Sequence, residues 1–414
     1  MDLRDFVDTL LRFESVERAE EPAQTWVKNR LGEFGFDTYE WTADPQQLAE
    51  HPSFPDDPSD IATRGRPSVA GVLEFGDPEA GPTLVLNGHI DVVPADAELW
   101  THDPFLPRWD DEAGTVTGRG AADMKSGLAT CVFAALDVRE AVDSGEVDLD
   151  GRLVVESVVG EEEGGIGAAA AALDNPYPFE RDAALVAEPT RLQPILATEG
   201  SVMKRLRLTG RTAHAASRWR GVDVLPKFEA IRRAFFELEA ERCETVTHPL
   251  YDHPIPWPVC VGRVEAGSWA STVAGTLTAE WRLGVAPGES VAEVEQVFEE
   301  RLAEVVADDE WLSEHPPTFE RFSIQFEAAE VSPDEPVVEA VQSALRAADL
   351  DDDPAGATYG ADSRHYVHAG IPTVLFGPGD IDQAHFPDET IAWDEVETAR
   401  DVIGDAARRF LQSK

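Results

Sequence analysis

The chain has 414 residues, 43% of them hydrophobic, which is enough apolar material for more than one core and argues against global disorder. Asp and Glu number 80 against 34 Lys and Arg, a formal net charge of -46, so nucleic acid and anionic membranes are excluded as partners. Lysine is reduced to Lys28, Lys125, Lys204, Lys227 and Lys414; such an exterior suits a cytoplasm whose salt screens self-repulsion, and a halophilic source is expected.

In chain order, residues 3–13 and 23–34 carry apolar side chains at helix spacing. The opening "MDLRDFVDTLLRFESVE" lacks the basic region and apolar core of a secretory signal. No run approaches transmembrane length, so the expected location is the cytoplasm. "DPQQLAEHPSFPDDPSDIATRGRP" reads as a Pro/Asp-rich excursion. "PSVAGVLEF", "TLVLNGHI", "RLVVESVVG" and "AALVAE" read as strands, with "MKSGLATCVFAALDVREA" as a helix between two of them. The alternation predicts an α/β sheet with helices on both faces.

Near Gly200 the pattern changes. "SVMKRLRLTG" is a strand with alternating residues, followed by "RTAHAASRWRGVD" and a helix over 224–241. Strands "PVCVGRVEAG" and "GTLTAEWRLGVAP", a helix over 290–306 and a last strand in "TFERFSIQF" complete a split βαβ order. From about residue 330 a helix (336–348), the strand "IPTVLFG" and a helix (393–411) return to the α/β style. The expected organisation is a catalytic domain in two parts, 1–198 and 319–414, with 199–318 inserted as a smaller α+β domain.

Functional groups of an open α/β sheet gather beyond the carboxyl ends of its strands. Five such groups stand out: His89 with Asp91 in "NGHIDVV", Asp123 in "GRGAADMKSG", Glu161 and Glu162 in "VVGEEEGG", Glu188 in "LVAEPT", and His385 in "FGPGDIDQAHFPDE". Acids are so common here that any one of them also fits a surface residue. Histidine is scarcer, with 10 in the chain. Together, two imidazoles and three carboxylates suit a pair of divalent ions bridged by one carboxylate and sharing a hydroxide. Asp91 is spaced to accept the second ring N–H of His89 and orient it. One non-ligand carboxylate would then serve as general base. Cys131, Cys243 and Cys260 are too few and too scattered for a disulfide framework or a cysteine-based zinc site.

These stretches, with "GRTAHAA", "SWASTVAGTLTAEWRLGVAPGES" and "GATYGADSRHYVHAGIPTVLFGPGDIDQAHFPDE", fall in one order along nearly the whole chain. In them the sequence resembles the di-zinc amidohydrolase and peptidase family of acetylornithine deacetylase, succinyl-diaminopimelate desuccinylase, aminoacylase and glutamate carboxypeptidase. The resemblance implies a mixed zinc-peptidase-like sheet flanked by helices, with an inserted ferredoxin-like lid or dimerisation domain. It implies two metal ions, zinc with cobalt or manganese as substitutes: His89, Asp123 and Glu188 on one, Asp123, Glu162 and His385 on the other, and Glu161 as general acid/base. The glycines Gly164-Gly165 set the register of the three glutamates and make Glu163 the variable position.

His214 resembles a histidine that reaches an active site, often the partner subunit's, to stabilise an oxyanion. Arg282 matches a position that grips a substrate carboxylate or forms a structural ion pair. Arg364 and the amides of Gly377 to Gly379 are further candidates for a carboxylate pocket, whereas His102 and His365 fit structural or rim positions. Ser271 and Ala274 stand where the family often has Asn or Pro. The implied activity is hydrolysis of an N-acyl amino acid or related N-acylated amine, in the manner of acetylornithine deacetylase, by a small-molecule enzyme able to dimerise through the inserted domain. A dipeptidase or carboxypeptidase is the alternative within the same chemistry. A single-metal aminopeptidase and a non-catalytic binding protein are the readings outside it.

Overall fold

The computed structural model of the chain describes residues 1–412. Helices α1 (Leu3–Leu11) and α2 (Glu21–Glu33) lead to strand β1 (Asp37–Trp41), the short helix α3 (Pro45–Ala49), and strands β2 (Ser68–Phe75) and β3 (Thr83–His89). Strands β4 (Arg108–Asp110) and β5 (Thr115–Thr117) precede helix α4 (Lys125–Asp143), strand β6 (Gly151–Val158), helix α5 (Ile166–Leu173) and strands β7 (Ala183–Val186) and β8 (Ile195–Thr198). Next come β9 (Gly200–Thr209), α6 (Leu225–Thr245), β10 (Val259–Ala266), β11 (Thr276–Val285), α7 (Val291–Ala307), α8 (Glu310–Glu314) and β12 (Thr318–Arg321). The chain closes with β13 (Ala329–Glu330), α9 (Pro336–Ala347), β14 (Ala355–Ala357), α10 (Ser363–His368), β15 (Thr373–Leu375), β16 (Thr390–Ala392) and α11 (Trp393–Gln412).

Nine strands form one mixed sheet in the order β1-β2-β6-β3-β7-β15-β8-β13, with β14 beside β8. Its centre is parallel: β3 runs with β6 and β7, and β15 runs with β7. Strands covered on both faces read as continuous Val/Leu runs, and β3, β6 and β7 are buried throughout. Successive side chains point to opposite faces, so Leu84 and Leu86 join the core under α4 and α11 while Val85 joins a smaller cluster on the other side. Helix α1 is capped by the Asp2 carboxylate, which accepts the Asp5 amide at 2.8 Å. It buries Leu3, Phe6, Val7, Leu10 and Leu11 along one stripe, each contributing about 1.5–3 kcal/mol of apolar burial.

The segment between β8 and β13 builds a separate four-stranded antiparallel sheet, β10-β11-β9-β12, with α6 and α7 packed on one face around Phe235, Trp281 and Phe298. This is the split βαβ order expected of the insert. Ser290 and Glu293 form a reciprocal capping box that starts α7. The last strand, β12, pairs with β9 and carries this sheet three residues past the 318/319 boundary. The chain then returns beside its point of departure, with Ala329 opposite Thr198 in antiparallel pairing. A third small sheet, β16-β5-β4, ties the C-terminal segment to the loop before α4.

Candidate metal centre

Because β6, β3, β7 and β15 are parallel, their carboxyl ends open on one edge of the sheet, and each end delivers part of the site. His89 closes β3, the turn Glu161–Glu163 follows β6, Glu188 follows β7, and His385 lies in the loop after β15. Asp123 sits just before α4 and is joined to Met124 by a cis peptide bond. The two oxygens of Asp123 face different histidines: Oδ1 lies 3.0 Å from His89 Nε2, and Oδ2 lies 3.6 Å from His385 Nε2. His385 Nε2 is also 3.1 Å from Glu162 Oε1. One ligand atom each from His89, Asp123 and Glu188 lies within 4.8 Å of the others, and the same holds for Asp123, Glu162 and His385.

The carboxylate of Asp91 does something other than expected. His89 Nδ1 donates to the backbone carbonyl of Asp91 at 2.9 Å, while the Asp91 carboxylate stands 3.8 Å away. That carboxylate accepts the amides of Gly160 (2.8 Å), Glu161 (3.3 Å) and Glu162 (3.1 Å). Asp91 thus orients His89 through its main chain and holds the glutamate turn through its side chain. The turn depends on glycine. Gly160, Gly164 and Gly165 all have positive φ, and a Cβ on Gly165 would collide with Asp362 and His365. Glu163 leaves the site to pair with the buried Arg66.

Burial dominates the electrostatics. It pushes Glu188 and Glu161 well above the ordinary carboxylate range, and Asp362 adds to the rise at Glu161. Burial also raises Glu162, against the opposing pull of His385. At Asp123 burial works upward but is outweighed by His89, His385 and Arg119, so this carboxyl is lowered. Burial works downward at His89, where Asp123, Asp91 and Glu188 outweigh it and hold the imidazole well above its usual value. Among the described residues no lysine or arginine forms an ion pair with Glu161, Glu162 or Glu188, in contrast to Glu163. Unpaired buried charge is costly, and a mixed imidazole–carboxylate set in this state fits divalent cations of the zinc type.

Two further acids support the site. Glu389 is fully buried and accepts the amides of Gly120, Ala122 and Asp123 together with Arg119 Nη1, so it fixes the loop that presents Asp123. Asp362 is buried beside Glu161, and neither of its carboxylate oxygens has a hydrogen-bond partner among the described residues. The sequence offered no signal for Glu389 beyond its place after His385 in "HFPDE", nor for Asp362 beyond its place in "YGADSR".

The centre opens into a cavity of about 300 Å³ whose walls include Met203 and Arg282 from the inserted sheet and Phe326, Tyr359 and Ile381 from the segments around it. Arg282 is on this wall with its guanidinium 3.2 Å from the buried Glu199. The expectation for Arg364 as a carboxylate grip is corrected: its side chain is fully buried and donates to Gly164 O at 2.6 Å and Ala361 O at 2.9 Å. Gly379 is corrected likewise, because its amide already donates to Glu395 Oε2 at 2.9 Å. His365 is structural, its Nε2 bonded to Gly164 O at 2.9 Å. His214 stands apart from this cavity within its own chain, exposed in the inserted domain with Nδ1 accepting the Ala216 amide at 3.1 Å.

The profile of peptidase family M20/M25/M40 matches residues 85–409. The chain is 28% identical over 412 residues to N-formyl-4-amino-5-aminomethyl-2-methylpyrimidine deformylase of Bacillus subtilis (strain 168), covering 94% of this chain and 89% of that protein. It is 28% identical over 352 residues to acetylornithine deacetylase of Proteus mirabilis (strain HI4320), covering 84% of each. A tripeptidase from Staphylococcus aureus shares the fold with a TM-score of 0.73 at 19% identity, over 99% of this chain and 98% of that one.

Proposed function

The chain belongs to peptidase family M20/M25/M40, whose members are metal-dependent amidohydrolases and peptidases, and from that premise we propose that it hydrolyses the amide bond of an N-acyl amino acid or related N-acylated amine. The observation that carries this reading is the division of Asp123, one oxygen toward His89 and the other toward His385, with Glu188 and Glu162 completing the two groups. Relatives at 28% identity, among them a deformylase and a deacetylase, favour an acyl group over a peptide as the part removed.

His89, Asp123 and Glu188 would hold one divalent cation, and Asp123, Glu162 and His385 the other, with zinc, cobalt or manganese suited to the donors. When bound, the cations supply Lewis acidity that polarises an acyl oxygen and acidifies water. Glu161, in the same cavity but outside both groups, takes the proton of the attacking water and returns it to the leaving nitrogen. Arg282, on the cavity wall, meets the substrate carboxylate while its other edge stays with Glu199. His214 fits a contribution to a second subunit's site in a homodimer, and the acidic exterior fits a salt-rich cytoplasm. No helix among the described residues is long and apolar enough to cross a membrane.

The test is metal quantification followed by a panel of N-acetylornithine, N-succinyl-diaminopimelate, N-formyl amines and simple dipeptides, assayed at high salt with added zinc or cobalt. Two ions per chain and turnover of the N-acyl compounds are expected. Less than one ion per chain under metal-replete conditions, with no turnover, overturns the reading; preference for the dipeptides moves it to a dipeptidase.

A further inference from the structure

Next to the metal cavity lies a second one, also about 300 Å³, lined in part by β14. Among the described residues only Tyr359 and Ile381 line both. The far side is polar. Arg191 donates to Asp382 at 2.8 Å and also pairs with Asp380, and His253 reaches in from the inserted domain with Nε2 3.0 Å from Gly356 O. Hydrogen bonds from Arg191 N to Gly379 O at 2.8 Å and from Leu192 N to Gly377 O at 3.2 Å hold that side in place and keep both residues at positive φ.

The backbone that carries Tyr359 is equally constrained. Ala357 O accepts the Glu199 amide and the Tyr251 hydroxyl, each at 2.9 Å. Thr358 O accepts Arg282 Nη2 at 3.4 Å, and a Cβ on Gly360 would come within 2.5 Å of the Phe326 ring. The Tyr359 ring packs against the main core, and its hydroxyl makes no hydrogen bond to a described residue. A half-buried phenol held by its ring and neighbours, without a partner for its oxygen, acts as a wall.

We propose that Tyr359, backed by Ile381, is a specificity-determining partition: it limits the metal cavity to substrates with a short arm and closes off a polar chamber that would otherwise take a longer one. This deepens the proposed amidohydrolase activity and rests on that reading of the metal centre. Each cavity alone is at the small end for ligand sites, so merging them changes which molecules fit.

The experiment uses the full chain loaded with zinc and titrates it calorimetrically with straight-chain hydroxamates from acetohydroxamate to octanohydroxamate, and with their ω-amino counterparts. In the wild type, affinity falls by about tenfold or more once the chain outgrows the first cavity. Tyr359→Ala moves that fall to longer chains, with the ω-amino series gaining most, whereas Tyr359→Phe keeps the wild-type profile. Ile381→Ala thins the partition from its other side and moves the profile in the same direction, which covers a Tyr359→Ala protein that does not fold. An unchanged length profile in the alanine variants overturns the partition. Failure of the zinc-loaded wild type to bind even acetohydroxamate overturns the metal-centre reading instead.

Discussion

The amide of Asp123 donates to the Glu389 carboxylate at 3.0 Å, and the same carboxylate holds Arg119 Nη1 at 2.8 Å. One buried acid therefore sets the position of the residue shared by both candidate metal groups. Glu389→Ala would leave three amides and a buried guanidinium without their acceptor. The expected result is about 10–100-fold weaker metal affinity, with a destabilisation of about 3–5 kcal/mol from the unpaired Arg119. Chelator competition and thermal unfolding measure the two effects, and wild-type metal affinity in this variant would count against the supporting role.

Glu161 and Glu162 are neighbours with opposite fates in the proposal. Glu161→Gln is expected to retain both ions and lose about 10²–10⁴-fold in kcat. Glu162→Gln is expected to lose metal, because His385 then keeps only Asp123 beside it. Elemental analysis of the two purified variants decides the register: metal loss in the first and retention in the second would reverse the assignment.

Glu199 links the inserted sheet to the main one through Arg282, and burial, opposed by Arg282, lifts its carboxyl from 4.5 to about 7. The unfolded chain releases this proton near the ordinary value, while the folded chain keeps it until about 7. The unfolded state therefore binds fewer protons across that window, so the contribution of Glu199 to stability falls as pH rises from 4.5 to about 7 and is flat above it. Thermal unfolding across this range should slope downward in the wild type, and the slope should be smaller in Glu199→Gln. An equal slope in both would remove Glu199 as a source.

The net charge of -46 predicts strong dependence on ionic strength. Melting temperature should climb as potassium chloride approaches molar concentration, whereas an equal osmolality of a neutral solute should do much less. Identical unfolding with and without salt would end the halophilic reading.

The buried centre of the fold was readable because parallel strands covered on both faces have no polar side to disguise them. The runs around Leu84–Leu86, Leu153–Val155 and Ala183–Val186 became β3, β6 and β7. β1, with the sequence DTYEW, is an exposed or half-buried edge and carries no such run. β4, β5 and β16 are only three residues each, and β5 finds β16 at a partner far along the chain while β4 merely folds back on β5. In the site, His89 and His385 stood out by scarcity and position. Glu389 and Asp362 did not, because their roles consist of bonds to backbone amides and of burial, neither of which leaves a spacing pattern. Arg364 misled for the converse reason: an arginine in a motif shows its charge, but not that its fork is turned inward onto Gly164 and Ala361.

The pairing of Thr198 with Ala329 makes the whole inserted module, topologically, the connection of a hairpin. Entropy of closure grows only slowly with the length of such a connection, so the layer that carries the candidate metal groups sets little limit on the length of what is spliced between those two positions. Exchanging one cover for another would then trade the wall that carries Met203 and Arg282 for a different one at little closure cost, provided the bonds of Arg282 to Glu199 and of Tyr251 to Ala357 O are replaced.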